Sequence, residues 1–289
     1  MTKIADLHTR ARGGPVFICD FSPPKGVFYD SMGVAARSLG ADCISIPYNP
    51  GKAVYANSAI ASDAIRSATG TDVAFTIATR DMKILAAQCL LAGAALLGLE
   101  NTIVVRGDDF TSSELRQVKP VHDRTPTALI QSITALNNGI DFKGRQFGAP
   151  TNFCIGAAID TSRPVEREVA LAKRKIDAGA HFFITQPGFS PDAPLHFGEA
   201  YTQTYGDALP IPIFFGIQVM APGSIAFTEI PQSVSDDLSA GVSPADIASH
   251  AVDAFLAAGI SSFYLMPPIL GGGKRDYDSA AKVIRRFRT

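Results

Sequence analysis

Two carboxylates, Asp20 and Asp108, stand just after short apolar runs, VFIC at Val16–Cys19 and TIVV at Thr102–Val105. A carboxyl at an apolar strand end loses water, which raises its pKa and suits it to general-acid work. Arg106, two residues before Asp108, offers a planar guanidinium fork for a phosphate or carboxylate. The alternative is an Asp–Arg ion pair that only ties loops together. Gln186 follows the apolar run Phe182–Ile184 and is a candidate site residue by that position. The alternative is a loop glutamine that caps backbone groups. Tyr48, Arg80, Asp81, Asp160 and Gln218 follow further apolar runs in the same way.

The elements that must carry these residues alternate. The stretch Ala172–Gln186, AKRKIDAGAHFFITQ, reads as a helix end, a stop, a strand and a polar residue. Val165, Val169, Ala172 and Ile176 recur at helical spacing, and Gly179 can take the left-handed conformation that ends a helix. Strands are expected at Val16–Cys19, Cys43–Pro47, Asp72–Ala78, Thr102–Val105, Asn152–Ala158, His181–Thr185, Pro212–Ile217 and Ser261–Met266. Helices are expected at Phe28–Leu39, Ala56–Ala68, Met82–Leu97, Thr127–Leu136, Pro164–Ala178, Ala245–Ala258 and Asp276–Phe287. Thr125-Pro126 and Ser243-Pro244 are the clearest helix starts. Eight strands alternating with helices predict an α/β fold, a single (β/α)8 TIM barrel over residues 1–289. A doubly wound open sheet is the alternative. It would want a glycine-rich fingerprint after the first strand, where Asp20-Phe21-Ser22-Pro23-Pro24 stands.

The 289 residues are 46% hydrophobic, enough for a sizeable core, and the formal net charge is −1. That charge argues against a general binder of nucleic acid or anionic membrane. No apolar run is long enough to span a bilayer, and the start, MTKIADLHTRARGG, has no apolar core of a secretory signal. A cytoplasmic protein is expected. Cys19, Cys43, Cys89 and Cys154 lack CxxC spacing and read as reduced core thiols. The five histidines are scattered, so no protein-bound catalytic metal is expected.

The motifs themselves resemble one family. Asp20-Phe21-Ser22-Pro23-Pro24-Lys25 is similar to the first-strand motif of methylenetetrahydrofolate reductases, usually Glu-Phe-Phe-Pro-Pro-Lys or Arg. Leu39-Gly40-Ala41-Asp42, Ile44-Ser45-Ile46 and Tyr48 resemble the second strand, and Val105-Arg106-Gly107-Asp108 the fourth. Lys173-Arg174-Lys175, Asp177-Ala178-Gly179-Ala180 and Thr185-Gln186 resemble the sixth unit, and Phe263-Tyr264 the end of the barrel. The resemblance spans nearly the whole chain in order.

It implies an FAD-dependent barrel that reduces 5,10-methylenetetrahydrofolate to 5-methyltetrahydrofolate with hydride from NAD(P)H. Carried onto this chain, Asp20 takes the general-acid position, and Asp108 the aspartate near flavin and pterin. Gln186, with Tyr48 and Gln218, takes the substrate side. Arg106, Gly107, Ala157, Glu168 and Lys175 take the FAD side. The resemblance also implies a homo-oligomer or a complex with an electron-donor subunit. Asp20 is one methylene shorter than the family's Glu, Glu168 replaces an Asp, and Pro47 replaces a Thr. Ile159-Asp160-Thr161-Ser162-Arg163-Pro164 stands where the family has a longer flavin-contacting segment. That departure keeps two alternatives open: a reductase of a pterin-bound one-carbon unit without stable flavin, and a non-catalytic pterin-binding subunit. Glu168 and Lys175, seven apart on one helix, can share a face toward a cofactor or form a solvated face. Gly271-Gly272-Gly273-Lys274 reads either as a phosphate-binding loop or as a flexible linker.

Overall fold

The computed structural model describes residues 1–10, 14–26, 29–121 and 123–288. Eight parallel strands close into a barrel in sequence order. They are β1 (Val16–Asp20), β2 (Cys43–Ile46), β3 (Asp72–Ala78), β4 (Asn101–Val105), β5 (Cys154–Ile159), β6 (Phe182–Pro187), β7 (Ile213–Gln218) and β8 (Ser262–Met266). The helices are α1 (Ile4–Arg10), α2 (Tyr29–Ser38), α3 (Ser58–Thr69), α4 (Ile84–Leu96), α5 (Pro126–Asn137), α6 (Val165–Asp177), α7 (Asp192–Tyr205), α8 (Gln232–Ser239), α9 (Pro244–Ala257) and α10 (Tyr277–Arg286). The expected first residue of α2, Phe28, lies outside the described residues, as do residues 11–13 of the amino-terminal stretch.

The expected helix starts carry real caps. Thr125 Oγ1 accepts from Ala128 N at 3.2 Å, and Ser243 Oγ accepts from Asp246 N at 3.1 Å. Gly179 sits at φ 106°, as the stop after α6 requires. Three helices were not legible beforehand. In α7, Pro194 and Gly198 break the expected pattern. A proline in the first turn is tolerated, because the first backbone N–H groups of a helix have no intrahelical partner. The short α8 carries one buried residue, Val234.

The third is α1, which plugs the amino-terminal end of the barrel. Ile4 N donates to Asn101 Oδ1 at 3.0 Å, and Thr2 N donates to Asp72 Oδ1 at 2.9 Å. The Ile4 side chain, fully buried, joins Ile18, Cys43, Ala74, Ile103, Cys154, Phe182, Phe214 and Tyr264, one from each strand, in the barrel centre. Strand residues of the other parity, such as Phe17, Ile44, Phe75, Ala157 and Phe183, pack outward under the helices. Phe182 and Phe214 meet edge to face at 5.9 Å, and Gly156 leaves the room they need. With the amino-terminal end filled, the carboxyl ends of the strands are the end where a ligand can enter.

Three of the four cysteines are buried, as expected. Cys89 is a correction. It is exposed on α4, because that helix is apolar nearly all round and its pattern does not show which side meets the barrel.

Candidate active site

Asp20 is the centre of the carboxyl-end mouth. It ends β1, pairs in register with Ser45 of β2, and is 7% exposed. The Tyr264 hydroxyl, from the adjacent β8, donates to Asp20 Oδ1 at 3.1 Å and lies 3.2 Å from Ser45 Oγ. The Arg275 guanidinium stands 3.5 Å from Asp20 Oδ2. Burial pushes the Asp20 carboxyl above its ordinary value, while Arg275 and the Tyr264 hydrogen bond pull it back down. The result is a carboxyl that keeps its proton more readily than a surface aspartate.

A second polar group lies across β2, β3 and β4. Arg80, 6% exposed, makes a two-pronged pair with Asp81 at 2.8 and 2.7 Å. It also donates to the Asp108 carbonyl oxygen at 2.8 Å and lies over the Phe110 ring at 4.4 Å. Tyr48 lies near this pair, and its phenol is raised by burial and by the Asp81 carboxylate. Arg80 thus fixes both the Asp81 carboxylate and the loop that carries Asp108. The Asp108 carboxylate itself is exposed.

Gln186 is exposed at the end of β6, where the pairing with β7 shifts register between Ile184 and Pro187. Thr185 Oγ1 accepts from Gly216 N at 2.8 Å and donates to the Gln186 carbonyl oxygen at 2.8 Å. That hydroxyl takes over the ladder at the irregularity and sets how β6 ends.

Other expectations are corrected. Gln218 is 2% exposed, and both ends of its amide hold the following loop. Its Nε2 donates to Ile225 O at 2.7 Å, and its Oε1 accepts from Phe227 N at 3.1 Å. It is a loop anchor as folded. Ala157 packs in the outer core and brings no side chain to the mouth. Arg106 is exposed and pairs with the equally exposed Asp109 at 2.7 Å, not with Asp108. Gly107, at φ 86°, turns the chain tightly against Arg80.

Glu168 and Lys175 share a face of α6, but it is the buried one, at 4% and 6% exposure. Glu168 Oε2 accepts from Asp160 N at 3.3 Å, and Lys175 donates to the Ala158 carbonyl oxygen. Burial pulls the Lys175 amine down to about 8, opposed by the Glu168 charge. The pair is therefore not a solvated face, and as folded both side chains hold backbone at the end of β5. The sequence held the signal: Glu168, Ala172 and Lys175 lie at i, i+4 and i+7, along the apolar stripe itself.

The residues missed were Ser22, Tyr264's role, and Arg275. Tyr264 has the inward parity of β8, which alternation could have shown. Arg275 comes from beyond a turn, and nothing local marks it. Among the described residues no cluster of three or more His, Cys, Asp or Glu could hold a metal ion, and no helix is long and apolar enough to cross a membrane.

A closed (β/α)8 barrel, plugged below and carrying a buried acid above, has the build of a barrel enzyme. The family model described as methylenetetrahydrofolate reductase matches residues 6–259, and the chain belongs to that family. No curated protein sequence matches it. Among solved structures it is similar to an uncharacterized protein from Clostridium thermocellum that binds two copies of 5-methyl-5,6,7,8-tetrahydrofolic acid. The two align at TM-score 0.66 and 13% identity over 98% of each chain, a likeness of fold. A putative lyase/mutase from Burkholderia cenocepacia J2315 aligns at TM-score 0.47 and 17% identity, over 89% of this chain and 85% of that one.

Proposed function

We propose that the barrel mouth binds a reduced folate and converts 5,10-methylenetetrahydrofolate to 5-methyltetrahydrofolate, with Asp20 as the proton donor. The observation that carries this reading is the buried Asp20, held by Tyr264 and Arg275 at the open end of a barrel of this family. Opening the folate ring needs a proton on the nitrogen that leaves the methylene carbon. Asp20 supplies it. The carbon is left as an iminium cation and takes a hydride, with its two electrons, from a reduced donor that departs oxidised. The exposed Asp108 carboxylate favours the cation. Gln186 hydrogen-bonds the pterin from the end of β6, and Tyr48, after β2, stands across the mouth from it.

FAD is the hydride carrier that family membership implies. Arg106 and Gly107, just after β4, are the residues of the expected FAD set that stand at the mouth and would hold it. Ala157, Glu168 and Lys175 do not fit it, because one faces the helices and two are buried with their polar atoms engaged. That burial favours a second reading: hydride arrives directly from a nicotinamide or another mobile carrier. Titration of the protein with FAD, followed by flavin fluorescence, is expected to show weak binding at most. Stoichiometric FAD retained through gel filtration would overturn this.

The folate reading is tested by calorimetric titration with 5-methyltetrahydrofolate and by mass analysis of the product from 5,10-methylenetetrahydrofolate with NADH or NADPH. Absence of folate binding removes it. Gln186→Ala is expected to weaken folate binding by about 0.5–1.5 kcal/mol, the worth of one neutral hydrogen bond. An unchanged dissociation constant on folded protein would take Gln186 out of the site.

A further inference from the structure

The glycine run after β8 is an ordered turn in the fold, not a flexible linker. Gly271–Gly273 form a 3-10 turn, with Gly272 at φ 71° and Gly273 at φ 81°, conformations that a side chain would strain. Leu270 N donates to Lys274 O at 2.8 Å, and Ile269 pairs antiparallel with Arg275. The chain is thereby folded back on itself. It returns Arg275 to the mouth with its side chain 9% exposed. There Arg275 Nη2 donates to Ser22 Oγ at 2.7 Å and stands 3.5 Å from Asp20 Oδ2. Tyr277, two residues on, donates to Ser22 O at 2.8 Å and stacks on Phe21 with ring centres 4.6 Å apart. The loops after β1 and β8 are locked together over the acid.

We propose that Arg275 is a positioning residue for Asp20: the glycine turn delivers its guanidinium, which is anchored on Ser22 and set beside the carboxyl it holds in place. The proposal rests on the reading of Asp20 as the proton donor. A proton donor must also give its proton up. A carboxyl buried without a counter-charge would remain neutral over the working pH range. The other ionisable groups that act with Asp20 cannot provide that charge. The Tyr264 and Tyr277 phenols are raised by burial and by Asp20, and the Cys19 thiol likewise. All three are neutral near pH 7. Arg275 is the charged group among the described residues that pulls Asp20 down.

The experiment is a titration of the Asp20 carboxyl in the full-length, ligand-free protein. The signal is carbon NMR of aspartate labelled at the carboxyl, with Asp20→Asn as the assignment control. In Arg275→Met, Asp20 is expected to titrate higher by about 1–3 pH units, the usual effect of an adjacent guanidinium. Arg275→Gln, which keeps a donor for Ser22 Oγ but no charge, is expected to show the same movement and serves if the Met variant does not fold. Arg275→Lys is expected to stay close to the parent. An unmoved Asp20 titration in a folded Met or Gln variant overturns the proposal, whatever happens to the melting temperature. The measurement needs neither folate nor hydride donor. Failure of folate to bind would therefore remove the functional reading and leave this result to stand by itself.

Discussion

Asp20→Asn is expected to slow folate reduction by about 10²–10⁴-fold, the range for losing one proton-transfer group. Asn keeps the size and can still accept from the Tyr264 hydroxyl, so the mouth retains its shape. It cannot hand over a proton under these conditions. Folate affinity should change far less than turnover, because the pterin contacts lie on other strands. The reverse hydride step, from 5-methyltetrahydrofolate to an artificial acceptor, is a useful companion. After hydride has left, closing the ring needs a base at the same nitrogen, so formation of 5,10-methylenetetrahydrofolate should fall with the forward rate. The check is single-turnover kinetics at saturating folate. A turnover within a few-fold of the parent, or a loss confined to folate affinity, would move Asp20 from chemistry to binding.

A large stability effect is expected at Gly216. A Cβ there would lie 2.7 Å from Thr185 O and 2.8 Å from the carbonyl carbon and oxygen of Gln186. These are backbone atoms in the strand that pairs with β7, so relief requires β6 and β7 to separate. Gly216→Ala should destabilise the fold by about 1–3 kcal/mol, the usual range for overpacking, and at its upper end. It should also weaken folate binding, since the end of β6 that carries Gln186 must shift. Urea unfolding gives the first quantity and calorimetry the second. An unchanged unfolding midpoint would mean that the β6–β7 irregularity has slack. Gly198→Ala on α7 is the control, because nothing lies within 4 Å of a Cβ there.

The sequence made the barrel readable because its signals are local. Apolar runs bounded by glycine or proline mark strands, and caps such as Thr125 and Ser243 mark helices. β3 was expected at Asp72–Ala78 and stands there. The elements that escaped, α1, α7 and α8, are short or carry proline and glycine inside, so their helicity comes from packing more than from pattern. Cys89 escaped for the same reason: an all-apolar helix does not say which side is inward.

For the site, the sequence by itself determined which polar residues end the strands: Asp20, Asp108 and Gln186 all follow apolar runs. It did not determine what each would touch. Tyr264 meets Asp20 across 244 positions, and Arg275 meets Ser22 across 253. Both contacts exist because closure sets β1 beside β8. Glu168, Lys175 and Gln218 show the converse. Their types and positions suggest ligand contacts, but packing turns them inward, and a buried polar group takes the nearest backbone partner. Residue type and local spacing are written along the chain. Which partner neutralises a buried acid is set by strands that meet only when the barrel closes, and that the tertiary structure alone decided.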